Sequence, residues 1–158
     1  MKAFYVILCV FFAVFIIIES KDPAEVYIAA LRNGQASFDA CRNQNIITNT
    51  DLISKLNMTT LLQDLEVPEM EKVRHKIGCF VSCLMQESDI MNGTVIDIQK
   101  MVDFLQLAVD SSEEITQDRI NPLIKIGQDC AKEVEKETNA CVIGWKFGFK
   151  CMGSKLGL

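Results

Sequence analysis

The chain opens with sixteen uncharged apolar residues, Ala3 to Ile18, and no later stretch is as long or as apolar. Beyond it, apolar positions recur at helical spacing. Asp22-Pro23-Ala24-Glu25 reads as a helix start, with Asp at the N-cap, Pro at the first helical position and Glu at the third. Tyr27, Leu31, Gly34, Phe38 and Cys41 then follow on one face of a long first helix. Thr48 to Asp51 begins a short second helix that runs through Leu56. Pro68 opens a third, with Glu69 and Glu71 in its first turn, where the helix dipole favours acids. Its apolar face is Val73, Ile77, Phe80 or Val81, and Leu84.

Met91-Asn92-Gly93 breaks the pattern, and Thr94-Val95-Ile96-Asp97 reads as a capping box. The fourth helix that follows would bury Ile98, Met101, Val102, Leu105 and Val109. Asn121-Pro122 starts a fifth helix or kinks one already begun, with Leu123, Ile126 or Gly127, Cys130 and Val134 inward. The last helix, near 139–151, carries CVIGWKFGF, apolar almost all round. A helix without a polar face belongs at the centre of a fold. No segment alternates with a period of two, so the chain reads as all-α, about six helices in one domain.

The opening run has the form of a secretory signal peptide: Met1-Lys2 before it, the apolar core, and Ser20 at the end. Sixteen residues fall short of the roughly 20 needed to cross a bilayer core. Cleavage is therefore expected after residue 20, leaving 21–158 as a single helical domain. Cys9 would leave with the signal, and the six remaining cysteines, Cys41, Cys79, Cys83, Cys130, Cys141 and Cys151, suggest three disulfides in an extracellular chain. The signal carries one Lys and one Glu, so the net charge stays at −5. That balance argues against a nucleic-acid or anionic-membrane partner, which would call for a basic patch.

Cys79 and Cys83 lie four residues apart, on one face of the third helix. A bond between them would be strained, so each should reach a different neighbouring element and staple this helix to two others. Zinc would want a C-x-x-C turn or a His partner, and His75, the only histidine, has no second ligand near it in sequence. A redox pair would want C-x-x-C at a helix start. Metal and cofactor are therefore expected to be absent. No catalytic residue stands out either. A small secreted phospholipase would need His followed by Asp and a calcium loop, whereas His75 precedes Lys76, and hydrolases of the Ser or Cys type need a histidine base. As a histidine, the side-chain type that serves as a pH switch, His75 invites that reading, but among Lys72, Arg74 and Lys76 it reads as part of a solvated face.

The cysteines run Cys41-x37-Cys79-x3-Cys83-x46-Cys130-x10-Cys141-x9-Cys151. In order, spacing and helical context this resembles the insect odorant-binding proteins of the six-cysteine, pheromone and general odorant type. The stretch GCFVSCLMQESDIMNG is similar to the corresponding one in ant members. The resemblance covers the whole of 21–158. It implies pairing of first with third, second with fifth and fourth with sixth cysteine: Cys41–Cys83, Cys79–Cys141 and Cys130–Cys151. Two gaps depart from the family's usual pattern. The first is longer, and the last holds nine residues instead of the usual eight, so the end of the last helix should bulge or fray.

By the same resemblance the domain encloses an internal apolar cavity for one small hydrophobic molecule, an odorant or pheromone carried through aqueous fluid. The expected ligand-binding residues are Phe38, Phe80, Leu84, Met101, Leu105, Ile124, Trp145 and Phe149, with ordinary core packing as the plainer reading of each. Trp145 and Phe149 lie one turn apart; Gly144 and Gly148 either admit another helix or leave room for a ligand. Tyr27, Ser82 and Gln106 are candidate polar partners, and Leu156 or Leu158 a lid. An olfactory receptor or a second copy of the chain would be the protein partner; nucleic acid and membrane insertion are not expected. Two alternatives stay open: a carrier of a lipophilic hormone or defensive compound outside olfaction, and a secreted interaction protein with a filled core. Asn57-Met58-Thr59 and Asn92-Gly93-Thr94 are glycosylation sequons.

Overall fold

The structure, a computed structural model, describes residues 31–45, 67–110 and 117–155. The expected signal peptide, the expected helix start at 22–25, Tyr27, the expected second helix at 48–56, the Asn57 sequon and the C-terminal leucines lie outside the described residues. Within them the architecture is all-α. Helix α1 spans Gln35–Gln44, α2 Glu71–Glu87, α3 Ile98–Asp110, α4 Gln117–Val134 and α5 Ala140–Ile143. A π-helical segment, Gly144–Gly153, continues directly from α5.

Local chemistry accounts for most boundaries. Pro68 opens a single 3-10 turn, Pro68–Met70, that feeds α2, as expected of a residue with φ already set for helix. On α2, Ile77, Phe80, Val81 and Leu84 are all buried, so both of the alternative inward positions point to the core. Asn139 caps α5 by accepting from the backbone amides of Cys141 (2.9 Å) and Val142 (3.2 Å). Pro122 sits inside α4, which begins a turn earlier at Gln117; of the two readings of Asn121-Pro122, the helix already under way is the correct one.

Four details differ from the sequence expectation. The first helix does not run unbroken through its periodic face. Gly34 takes φ 55°, outside the right-handed helix, and α1 starts only after it; the Asn33-Gly34 pair makes a turn, with the Gly34 amide bonded to the Leu31 carbonyl at 3.0 Å. The break at 91–93 is a two-stranded hairpin, Met91–Asn92 against Val95–Ile96, with Gly93 at φ 62° in its turn. Thr94 and Val95 therefore belong to that hairpin, and the cap of α3 is Asp97, whose carboxylate accepts from the Lys100 amide at 3.0 Å. The fourth detail is the form of the bulge. Where the sequence predicts that the end of the last helix bulges or frays, i→i+5 winding runs over the whole Gly144–Gly153 segment.

At the centre, α2 crosses the last helix, and the crossing is a backbone contact. A Cβ on Gly144 would stand 2.1 Å from the Gly78 carbonyl oxygen and 2.8 Å from the Ser82 amide nitrogen. One on Gly78 would stand 2.1 Å from the Cys141 carbonyl oxygen. Of the two readings of Gly144, helix approach is the one realised. Gly127 on α4 is different. A Cβ there would meet only the flexible end of Met101, with Cε at 2.4 Å and Sδ at 2.6 Å.

Gly144→Ala should therefore destabilise the oxidised protein by about 3 kcal/mol, at or above the upper end for overpacked cores, whereas Gly127→Ala should cost ~1 kcal/mol or less because Met101 can turn aside. Denaturant unfolding of the two variants measures both. Equal costs would contradict the backbone contact.

Candidate ligand site

The three disulfides join Cys41 to Cys83, Cys79 to Cys141 and Cys130 to Cys151, with Cα separations of 5.7, 4.0 and 5.6 Å. This is the pairing implied by the resemblance. Cys83 ties α2 to α1 and Cys79 ties it to α5, so the two cysteines one turn apart do reach different elements. Cys130 ties α4 to the π-helical segment.

These staples gather seven of the eight expected ligand residues into a single buried cluster and bring the eighth against it. Phe38, Phe80, Leu84, Met101, Leu105, Trp145 and Phe149 are buried, and Ile124 is partly buried on the same core. Two aromatic pairs organise it. Phe38 on α1 meets Phe80 on α2 edge to face, with centroids 5.8 Å apart and rings at 83°. Trp145 and Phe149 stack at 5.2 Å and 15°; both are geometries that aromatic quadrupoles favour. Methionines Met85, Met91, Met101 and Met152 are buried in the same cluster, and their flexible thioethers let a core repack around different shapes.

The cluster also holds residues beyond those expected from the sequence. Phe104, Ile120, Ile143 and Phe147 all belong to the core. Phe104 carries a usable signal, since it lies three residues after Met101 on the inward face of α3. The others sit beside helix boundaries that the sequence pattern places differently, or on a helix apolar all round. Among the polar candidates, Ser82 is buried, and its hydroxyl donates to the Cys79 carbonyl at 3.2 Å. Gln106 is half-buried on α3. Gly148 is buried beside the Trp145–Phe149 stack.

His75 is exposed, as its charged neighbours implied. Its Nε2 lies 3.5 Å from Cys79 Sγ, and with Cys141 it forms a three-residue group of possible metal-ligand types that the sequence spacing hides. Both sulfurs are bonded to each other, however, and only a thiolate is a strong metal ligand.

On the outer side of Trp145 lies an open groove of about 770 Å³, between the first two turns of α2 and the last helix. Trp145, Val142 and Cys141 give it an apolar floor, and Lys72, Arg74, His75, Lys76, Lys146 and Lys150 a basic lining, with Glu71 the acid among them.

A family model described as the PBP/GOBP family matches residues 28–155, most of the chain. The protein thus belongs to this family of insect odorant-binding proteins, whose members are secreted, bind small hydrophobic molecules and act as carriers, not enzymes. No curated protein and no solved structure matches the chain.

If the staples hold the site together mainly by limiting the unfolded chain, their contributions should follow loop length. Cys79–Cys141 closes 62 residues and Cys130–Cys151 closes 21, worth about 4 and about 3 kcal/mol in that picture. Paired Cys→Ser variants, compared by denaturant unfolding, should show Cys79–Cys141 as the costlier loss. A reversed order would mean that native packing, not chain entropy, decides.

Proposed function

We propose that this protein is a secreted, soluble carrier that takes one small hydrophobic molecule, an odorant or pheromone, among its helices and moves it through aqueous fluid. The observation that carries the reading is the convergence of Phe38, Phe80, Leu84, Met101, Leu105, Ile124, Trp145 and Phe149 from five parts of the chain into a single apolar cluster. It stands inside a cross-linked frame in a family of carriers. Cross-links matter for such a task. A helical domain this small would otherwise gain by collapsing onto any internal space, since each methylene buried is worth ~0.8 kcal/mol.

The energetics suit a reversible carrier. Burying about ten methylenes of a ligand gives ~8 kcal/mol before the costs of association. Micromolar affinity needs about 8 kcal/mol net. The site must therefore be largely pre-organised, and the disulfide frame is the feature that supplies that. Solubilising an apolar molecule calls for no catalytic group.

Trp145 is the chain's only tryptophan and stacks within the cluster, so it reports on the site directly. Titration of the oxidised protein with long-chain alcohols, esters and terpenoids should displace an apolar fluorescent probe with micromolar midpoints. Trp145 emission should shift along the same curve. If correctly oxidised protein binds neither probe nor panel, the carrier reading fails and a filled-core interaction protein takes its place.

A further inference from the structure

The hairpin between α2 and α3 carries a short sequence that neither the core nor the carriage of a cargo uses. The residues of its tip, Asn92, Gly93, Thr94 and Val95, are all exposed, whereas the residues on either side are anchored. Ile90 and Met91 are buried, Ile96 packs against the core, and the Asp97 amide donates to the Ile90 carbonyl at 2.8 Å. Burial fixes the base of the hairpin and leaves the tip in solvent.

The register pairs Met91 with Ile96 and Asn92 with Val95. Successive strand residues point to opposite faces. With Met91 turned to the core, Asn92 turns outward beside Val95, its cross-strand neighbour, which is 68% exposed. Gly93, at φ 62°, is the first of the two loop residues, the position that a type II′ hairpin turn gives to glycine. A Cβ added to Gly93 would meet no atom within 4 Å, so the glycine serves the backbone conformation and the tip stands in open space.

Asn92-Gly93-Thr94 is a glycosylation sequon, with a residue other than Pro in the middle and a hydroxyl at the third position. A glycan is bulky and solubilising and belongs on a surface. Asn92 meets that demand: its side chain points outward from an uncrowded turn, and it belongs neither to the buried cluster nor to the groove beside Trp145. The paired cysteines all lie outside the hairpin, so a substituent on its tip leaves the disulfide frame undisturbed.

We propose that Asn92 is the attachment point of an N-linked glycan. The reaction joins Asn92 Nδ2 to the anomeric carbon of an N-acetylglucosamine, the first sugar of an oligosaccharide supplied on a lipid pyrophosphate. The lipid pyrophosphate leaves with the electrons of the broken C–O bond, and the carboxamide gives up one proton. The proposal rests on the reading of the chain as secreted, because the donor meets only chains that enter the secretory route.

The test expresses residues 1–158 in insect cells and takes the protein from the medium. Digestion with a peptide-N-glycosidase in heavy-oxygen water should release one discrete glycan mass and convert Asn92 to an aspartate that carries one heavy oxygen atom. Thr94→Ala should abolish the glycan at this position, and Thr94→Ser should keep it, which separates loss of the acceptor sequence from loss of the fold. Unmodified Asn92 in protein recovered from the medium would overturn the site and leave secretion intact. Retention of the chain inside the cell with its leader uncleaved would overturn the secreted reading, and the glycan with it. A glycan on Asn57 alone would refute the proposal. So would conversion of Asn92 to aspartate without heavy oxygen, the mark of spontaneous deamidation, in which the Gly93 amide nitrogen attacks the Asn92 carboxamide and ammonia leaves.

Discussion

Everything in this fold depends on the place where two helices touch without side chains between them. Gly78 and Gly144 let α2 and the last helix approach until the carbonyl of one presses on the backbone of the other. That proximity places Cys79 opposite Cys141 for their disulfide. Contact and bond are mutually reinforcing: the bond stops the helices from separating, and the glycines keep the bond from requiring a longer reach. With this crossing fixed, Phe80, Val81 and Leu84 on α2 and Trp145 and Phe149 on the last helix have settled positions, and α1, α3 and α4 pack around them.

The other two disulfides extend the frame outwards. Cys41–Cys83 holds α1, so that Phe38 meets Phe80, and Cys130–Cys151 holds α4 against the π-helical segment. Cys141 and Cys151 are both committed to partners, and the chain between them winds i→i+5 from Gly144 on. A helix that is apolar on nearly every face and bonded at both ends makes a natural centre for the core.

Much of this is legible in the sequence because the strongest signals are local. Apolar periodicity marks α2, α3 and α4; Pro68 and the acids after it mark a helix start; the parity and order of the cysteines imply a cross-linked helical domain. What escapes a sequence reading depends on conformation or on distance. Gly34 fits the periodic face of a helix perfectly well, and only its φ reveals that the chain turns there. The hairpin at 91–96 is two residues per strand, too short to show alternation. The box at Thr94 to Asp97 has the right residue types, but Asp97 competes for the cap and wins because the hairpin claims Thr94 and Val95.

The basic groove shows the limit most clearly. The pairs Lys72/Lys76 and Lys146/Lys150 are each visible as an i, i+4 repeat, yet nothing in the sequence says that the two helices face each other there. A net charge of −5 points away from any basic patch. The candidate pocket residues are easier, since large apolar side chains on inward faces converge in any compact helical fold; their shared burial follows from the periodicity that selects them.

The central claim is that the crossing of α2 with the last helix is the rigid frame and the rest of the fold is arranged on it. Native-state amide hydrogen exchange, read residue by residue on the oxidised protein, tests it directly. The account predicts that amides from Gly78 to Ser82 and from Gly144 to Phe149 open only with global unfolding, while those of α3 exchange sooner through local opening. Earlier exchange at the crossing than in α3 would contradict it, and would move the frame elsewhere in the chain.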